Sequence, residues 1–384
     1  MSATAPYDLA PVVPILVVGA LLALAPLAWV RLRERSRTPG ARLRALTWAA
    51  LFLTFDLVLF GAFTRLTDSG LGCPDWPGCY GHASPLGATI HIDSAQQATP
   101  TGPVTHAKAW IEMTHRYLAT GVGALILVLA VMNGLAARRG HGRAAPGWAV
   151  VTLAWVCLQG AFGALTVTMR LYPAIVTLHL LGGIGLLVLL AIQNERAAPR
   201  PLALERPAMQ GLWLLAFLTV AQIALGGWVS TNYAVLACRD FPTCQGAWWP
   251  SMDFAQGFSL RRALGAGLDG NYLPFAALTA IHQTHRIGAA LVLAVLLWLV
   301  VRLALSGHAE QRRWAGALAA VGLWQLASGL GNVLLGWPLA AAVAHTGGAA
   351  ALAVIVTTLL CRARGVRGTD ASHRPAAVSA GAAS

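Results

Sequence analysis

The segments IEMTHR (residues 111–116) and IHQTHR (residues 281–286) each open a long apolar run, and each sets a histidine beside an arginine. Two more histidines, His179 in TLHLLGG and His345 in AHTGG, also lie inside apolar runs. An ionisable side chain in hydrocarbon is costly and marks a functional position by default. A neutral imidazole offers one nitrogen lone pair, so its chemistry there is metal ligation or a packing hydrogen bond. In the first segment a carboxylate, Glu112, stands three residues before His115 and so shares its helix face. In the second segment that place belongs to His282.

These side chains need membrane helices to hold them. Of the 384 residues, 57% are hydrophobic and 11% charged, against about 25% charged in soluble domains. The chain therefore reads as an all-α integral membrane protein whose main partner is the lipid bilayer. Its net charge of +13 sits in short clusters between apolar runs, which is how orientation signals look, and this excludes nucleic acid as a partner. Nine runs are long enough to span, at roughly 11–30, 45–66, 109–133, 147–168, 174–192, 210–230, 274–301, 314–335 and 339–361. The first lacks a basic N-terminal flank and a small-residue cleavage site, so it reads as a retained helix. Arginines follow spans one (Arg31, Arg33, Arg35, Arg37, Arg42, Arg44), three (Arg138, Arg139, Arg143), five (Arg196, Arg200, Arg206) and seven (Arg302, Arg312, Arg313), and recur in the tail (Arg362, Arg364, Arg367, Arg374). These connections share the cytoplasmic side, so the N-terminus lies outside and the C-terminus inside. The loops at roughly 67–108 and 231–273 then face outward.

Those loops carry CPDWPGC (Cys73, Cys79) and CRDFPTC (Cys238, Cys244) with identical spacing. The outer compartment is oxidising, which favours a disulfide in each; zinc is the weaker reading, because no tight CxxC pair is present. Cys157 and Cys361 lie in spans as small hydrophobes. Cys73 matches Cys238, Cys79 matches Cys244, Gly61 matches Gly226 and Gly81 matches Gly246, all at an offset of 165. His115 matches His285 at 170, while Gln159 with Gln325 and His179 with His345 keep 166. Two four-helix units thus follow each other in parallel orientation, preceded by one extra span. The division reads as 1–44 (extra helix and basic linker), 45–195 (first bundle), 210–361 (second bundle) and 362–384 (a disordered cytoplasmic tail).

All four histidines lie about six residues into spans entered from outside, roughly 10 Å deep at 1.5 Å per residue. Two imidazoles at one level in an apolar bundle suit a haem iron with two axial histidines. Gly121, Gly123, Gly182, Gly183, Gly347 and Gly348 follow the histidines within two turns, where a flat ring could approach the backbone. Arg116 and Arg286 are candidates for haem propionates, with snorkelling to the interface as the alternative. Zinc or copper would also accept histidine, but no Met or Cys recurs with these four. His82, His91 and His106 lie in the first outer loop without repeat partners and read as solvated, although His91 could line an entrance.

With these motifs in view, GAFTRLTDSGLGCPDWPGCYG, EMTHR, TLHLLGG, HQTHR and AHTGG resemble the haem A synthase family over roughly residues 45–361. The resemblance implies two pseudo-symmetric four-helix bundles, each with a haem site. It implies conversion of haem O to haem A by oxidation of a ring methyl group to a formyl group, for cytochrome oxidase assembly. His115 and His179 would then hold the substrate, haem O, and His285 and His345 a permanent haem B that carries electrons. It also suggests electron handling by Cys73 and Cys79, against the alternative of a plain brace; for Cys238 and Cys244 the brace is the favoured reading. Haem O synthase is an expected partner, and the setting is a bacterial-type inner membrane. Glu112 would be the catalytic carboxylate, taking up or delivering protons as the methyl group is oxidised, against the alternative of a structural hydrogen bond. Asp68, Arg65 and Asp75 flank the first cysteine pair and could shape the haem entrance. Competing readings are a non-catalytic dihaem cytochrome b electron carrier and a haem transporter or chaperone. The electron donor or acceptor is not identified by the sequence, and the oligomeric state stays open, a homo-oligomer included.

Overall fold

The structure, a computed structural model, describes residues 8–33, 38–140, 145–268 and 270–372. Among these residues eleven α-helices occur in this order: α1 (Val12–Arg33), α2 (Pro39–Leu66), α3 (Thr89–Ala98), α4 (His106–Arg138), α5 (Pro146–Thr168), α6 (Pro173–Ala197), α7 (Arg206–Thr231), α8 (Phe254–Gly257), α9 (Phe275–Ala304), α10 (Ala309–Leu334) and α11 (Leu339–Ser372). Among the described residues nine of them, all but α3 and α8, are long and apolar enough to cross a membrane. They coincide with the nine runs read from the sequence, and the protein is a multi-pass membrane protein. Local signals set the helix starts. Thr38 and Thr105 cap α2 and α4 by accepting from Ala41 N–H and Lys108 N–H. Proline occupies the first turn of α2, α5, α6 and α7, where its missing N–H costs nothing.

Helix α2 packs on α4 and α6, and α5 packs on α4 and α6. The second set repeats this, with α7 on α9 and α11, and α10 on α9 and α11. Each set is a closed ring of four in which α4 faces α6, and α9 faces α11, across a diagonal. The rings meet where α11 lies against α2 and α6, and α6 against α7. Two contacts at this seam join residues that are equivalents of each other. Arg65 donates to the Ser230 carbonyl at 2.7 Å, and Tyr233 donates to Asp68 at 2.6 Å. Both pairs differ by 165 in sequence, so they sit where a pseudo-two-fold axis runs between the units. At the other end Arg362 binds Glu195 in fork geometry at 2.9 and 3.2 Å.

Helix α1 belongs to neither ring. It packs along α4, with a lighter contact to α2. Gly19 permits this, since a Cβ there would lie 2.4 Å from Thr120 Cγ2. In lipid, where apolar burial drives little, such close approach of small residues supplies the packing. The top of α1 reaches the first outer loop: Asp8 N–H donates to the Trp76 carbonyl at 3.2 Å, and Ile15 joins a buried cluster with Cys73, Cys79, Ile92 and Met113.

Two expectations need correction, and one helix goes unannounced by the sequence. The first outer loop contains α3, whose weak apolar pattern did not announce a helix. Helix α4 begins three residues before its apolar run, so His115 stands nine residues past the start of α4, and His285 stands ten past the start of α9, where about six were expected. Helix α11 continues to Ser372, into the stretch expected to be disordered. Residues 373–384 of that tail, with Arg374, lie outside the described residues, as do Arg35, Arg37 and Arg143.

Candidate haem sites

The two outer loops fold back on the helices that carry the histidine–arginine segments. Each loop is closed by a disulfide, Cys73–Cys79 and Cys238–Cys244, and all four cysteines are fully buried. In the first loop Asp75 accepts from Tyr80 N–H at 2.6 Å and Gly81 N–H at 2.8 Å. In the second, Asp240 accepts from Gln245 N–H at 2.7 Å and Gly246 N–H at 2.9 Å. Gly81 and Gly246 both have positive φ, 75° and 73°, a conformation that glycine adopts without a Cβ penalty. Thr243 adds a hydroxyl donor to Asp240, and this bond, with that of Gly246 N–H, holds the carboxyl well below the ordinary carboxylate range. The Tyr80 phenol moves the other way, raised by burial and then by the charge of Asp75.

Arginines pin these loops from below. Arg116 donates to the carbonyls of Asp75, Pro77 and Gly78, and to Glu112. Arg286 donates to the carbonyls of Cys238, Asp240 and Thr243 at 2.9 Å each. The terminal nitrogens of these arginines, expected as propionate partners, donate to loop carbonyls and, for Arg116 Nη2, to Glu112, and so tie the loop to the helix. Glu112 is 4% exposed. Its Oε2 accepts from Cys73 N–H at 2.7 Å, and its Oε1 from Arg116. At the equivalent point Cys238 N–H donates to His282 Nδ1 at 3.2 Å. One backbone donor thus meets a carboxylate in one unit and a neutral imidazole in the other.

His115 and His179 project from the diagonal helices α4 and α6, His285 and His345 from α9 and α11. Each ring lies against a glycine of a neighbouring helix. A Cβ on Gly61 would stand 3.1 Å from His115 Cε1, and one on Gly226 3.1 Å from His285 Cε1. Gly163 and Gly329 do the same for His179 and His345, at 3.6 and 3.2 Å. Of the glycines that follow the histidines, Gly121 meets Leu22 of α1 and Gly182 meets Gln159, while Gly347 and Gly348 line an apolar cavity of about 750 Å³ with Phe55, Leu59 and Phe63. The four that matter carry a readable signal, because Gly61 with Gly226 and Gly163 with Gly329 keep the repeat offsets of 165 and 166.

The fit to haem can be tested on the rings. His285 and His345 have centroids 6.5 Å apart and planes at 78°. Two imidazoles sharing one metal, with metal–nitrogen bonds of about 2 Å, place their centres about 6 Å apart. In the first bundle the Nδ1 atoms of His115 and His179 are buried and have no hydrogen-bond partner among the described residues, a costly state for a polar atom that has no further role. Among the described residues no cluster of three or more His, Cys, Asp or Glu side chains could hold a metal ion, and the loop cysteines are consumed by disulfides. The histidine pairs are thus the groups suited to an iron porphyrin.

Other candidates fall outside these pairs. His106 binds Asp93 at 2.6 Å, and His91 stacks on Tyr80 at 5.3 Å, with His82 beyond it. All of these lie on the outer surface of the first loop. Arg65 and Asp68 serve the seam between the bundles, and Asp75 serves its own loop.

Comparison with known proteins gives a consistent neighbourhood. The family described as COX15-CtaA, cytochrome oxidase assembly protein, matches residues 44–357. A protein of Shewanella oneidensis named Heme A synthase is 39% identical over 323 residues, covering 82% of this chain and 95% of its own. Proteins of the same name from Halalkalibacterium halodurans and Caulobacter vibrioides are 28% and 29% identical, covering 79% and 81% of this chain and 90% and 93% of theirs.

Proposed function

The chain belongs to the family of cytochrome oxidase assembly proteins, and from that premise we propose that it is a haem A synthase, an oxidoreductase that converts a ring methyl group of haem O to a formyl group. The observation that carries this reading is the presence of two half-buried histidine pairs, each set on diagonal helices with every ring against a helix glycine. In this reading His115 and His179 bind haem O as the substrate, and His285 and His345 hold haem B. Haem B, when bound, supplies one-electron transfer. The remaining chemistry belongs to the chain. Glu112 is the proton-handling group: a buried carboxylate one turn from His115 can take a proton at Oε1 or Oε2 as methyl C–H bonds are oxidised. Arg116 keeps it oriented and stays anchored by the loop carbonyls when the carboxylate changes protonation. The buried disulfide loop seals this end of the bundle from water. The setting is a bacterial-type inner membrane with the N-terminus outside and the C-terminus in the cytoplasm, a reading that the arginine clusters support. Haem O synthase is the reaction partner that would supply the substrate; the electron partner is unassigned.

Pigment extracted from the purified protein and separated by chromatography tests the proposal. Haem O or haem A beside haem B is expected. His115→Ala should lose the first, and His285→Ala should lose haem B. Haem B alone, bound at both sites, would overturn the synthase reading in favour of a dihaem electron carrier.

A further inference from the structure

The two histidine pairs differ in what their Nδ1 atoms meet. Ser328 Oγ lies 3.0 Å from His345 Nδ1, and its own proton goes to the Trp324 carbonyl at 2.7 Å. The serine oxygen is therefore an acceptor for Nδ1–H, which leaves Nε2 as the free lone pair of His345. On the other ring the Gln222 amide bonds the His285 carbonyl at 2.9 Å and reaches His285 Nδ1 at 3.0 Å. The same NH₂ group makes both contacts, so Gln222 donates to this residue twice and holds the orientation of its ring. Among the described residues the first bundle has neither partner, and the Nδ1 atoms of His115 and His179 are buried and unbonded. The glycines beside the rings fix the register of comparison. By the offset of 165 shared by Gly61 and Gly226, the counterpart of Gln222 is Leu57; by the offset of 166 shared by Gly163 and Gly329, that of Ser328 is Phe162.

A ligating histidine whose second nitrogen is hydrogen-bonded is fixed in tautomer and ring orientation and is a stronger base toward the metal. We propose that Gln222 and Ser328 are positioning residues that make the second haem a resident cofactor, while Leu57 and Phe162 keep the first site weak enough for its haem to enter and leave. An enzyme whose substrate and cofactor are both porphyrins must discriminate between two similar pockets by residence time. The difference between a bonded and an unbonded imidazole does this without altering the iron ligands. The inference rests on the histidine pairs being haem ligands, as proposed above.

The experiment uses the full-length, haem-loaded protein. Haem loss from each site to excess apomyoglobin is followed by absorbance, and both midpoint potentials are titrated. Ser328→Ala and Gln222→Leu should each weaken haem retention in the second bundle by about 10- to 100-fold. Ser328→Ala should also raise the potential of that haem alone, because a less basic ligand stabilises ferric iron less. Ser328→Thr should restore both. In the converse direction Phe162→Ser and Leu57→Gln should slow haem loss from the first bundle and slow turnover through retained product. If Ser328→Ala does not accumulate, the converse pair decides the matter by itself. Unchanged retention and potential in haem-loaded variants of both kinds would overturn the positioning role while leaving the two haem sites standing. A wild-type protein that binds no haem would instead overturn the function on which it rests.

Discussion

The two disulfide loops and the helices beneath them are nearly one structure built twice. In both, an aspartate caps two backbone N–H groups past the second cysteine, an arginine ties loop carbonyls to a membrane helix, and the first cysteine's N–H points down at the residue one turn before a histidine. Against that constancy the differences are few. Glu112 stands where His282 does, the Nδ1 partners are present in one pair only among the described residues, and α1 lies on the first unit alone. A scaffold that keeps its backbone and changes a handful of side chains separates what builds a haem pocket from what makes one reactive. In the proposed function, chemistry is assigned by the residue that the first loop cysteine meets, and residence by what stands behind the imidazoles.

The largest test of this contrast exchanges the residues under the cysteines. Glu112→Gln keeps an acceptor for Cys73 N–H and removes the charge and the proton site. Haem A formation is expected to fall about 10²- to 10⁴-fold, the usual worth of a positioned acid or base, with both haems retained by absorbance. His282→Gln likewise keeps an acceptor for Cys238 N–H and should leave the rate within about threefold, well under the factor of ten that 1.4 kcal/mol of barrier makes. Equal losses in the two variants would erase the distinction between the units.

Removing the disulfides sharpens it further. Each closes a loop of sequence separation 6, for which the chain-entropy account gives roughly 2–3 kcal/mol. Double Cys→Ser variants of either loop should therefore lose similar thermal stability. Only Cys73→Ser with Cys79→Ser should also lose activity, about tenfold, because the Cys73 N–H that orients Glu112 is no longer fixed and a hydrogen bond to a charged group contributes about 1.5–3 kcal/mol. Haem A formation and Tm, measured on both variants, separate the effects.

Much of this architecture is written at the level of periods and offsets. The nine helices follow from apolar length alone, since a chain in lipid has few other options for its backbone. The tandem repeat follows from cysteines and glycines that keep one offset. What the one-dimensional pattern hides is where loops fold back. Nothing in EMTHR says that Arg116 will reach three carbonyls nearly 40 residues upstream, because that depends on the loop's path. Helix α1 is similar: Gly19 reads as one small residue among many until Thr120 is found against it. Gln222 and Ser328 carry no such pattern. They are polar residues among others in largely apolar helices, and their meaning comes from the ring they face.

Helix α1 offers a subtler break in the symmetry, because among the described residues the second bundle has no such neighbour. A side chain at Gly19 would collide with Thr120 on α4, and overpacking of this kind costs about 1–3 kcal/mol. Gly19→Val should lower Tm by a few degrees and loosen haem retention in the first bundle while the second keeps its haem. Gly134, on the same α4, has open space where a Cβ would stand, with no described atom within 4 Å, so Gly134→Ala should be neutral or slightly stabilising. Equal haem loss from both bundles in Gly19→Val would mean that α1 supports the fold as a whole and not the first site.

The smallest expected difference is between the two aspartate caps. Asp75 is buried beneath the first loop, 2% exposed, whereas Asp240 is reached by solvent, which screens what its hydrogen bonds contribute. Because the Thr243 hydroxyl and the Gly246 N–H hold the Asp240 carboxyl below its ordinary value, its contribution is complete above the unfolded-state value of about 3.9. It is lost only as pH falls below that point and through the depressed native value. Amide exchange at Gln245 and Gly246 should therefore show protection that is flat from pH 7 to about pH 4 and fades in stronger acid. In Asp240→Asn the protection should be weaker at pH 7 already, and its remaining dependence on acid should vanish, since an amide does not titrate. A wild-type loop that lost protection between pH 7 and pH 5 would show that some other group, and not this carboxylate, closes the second loop.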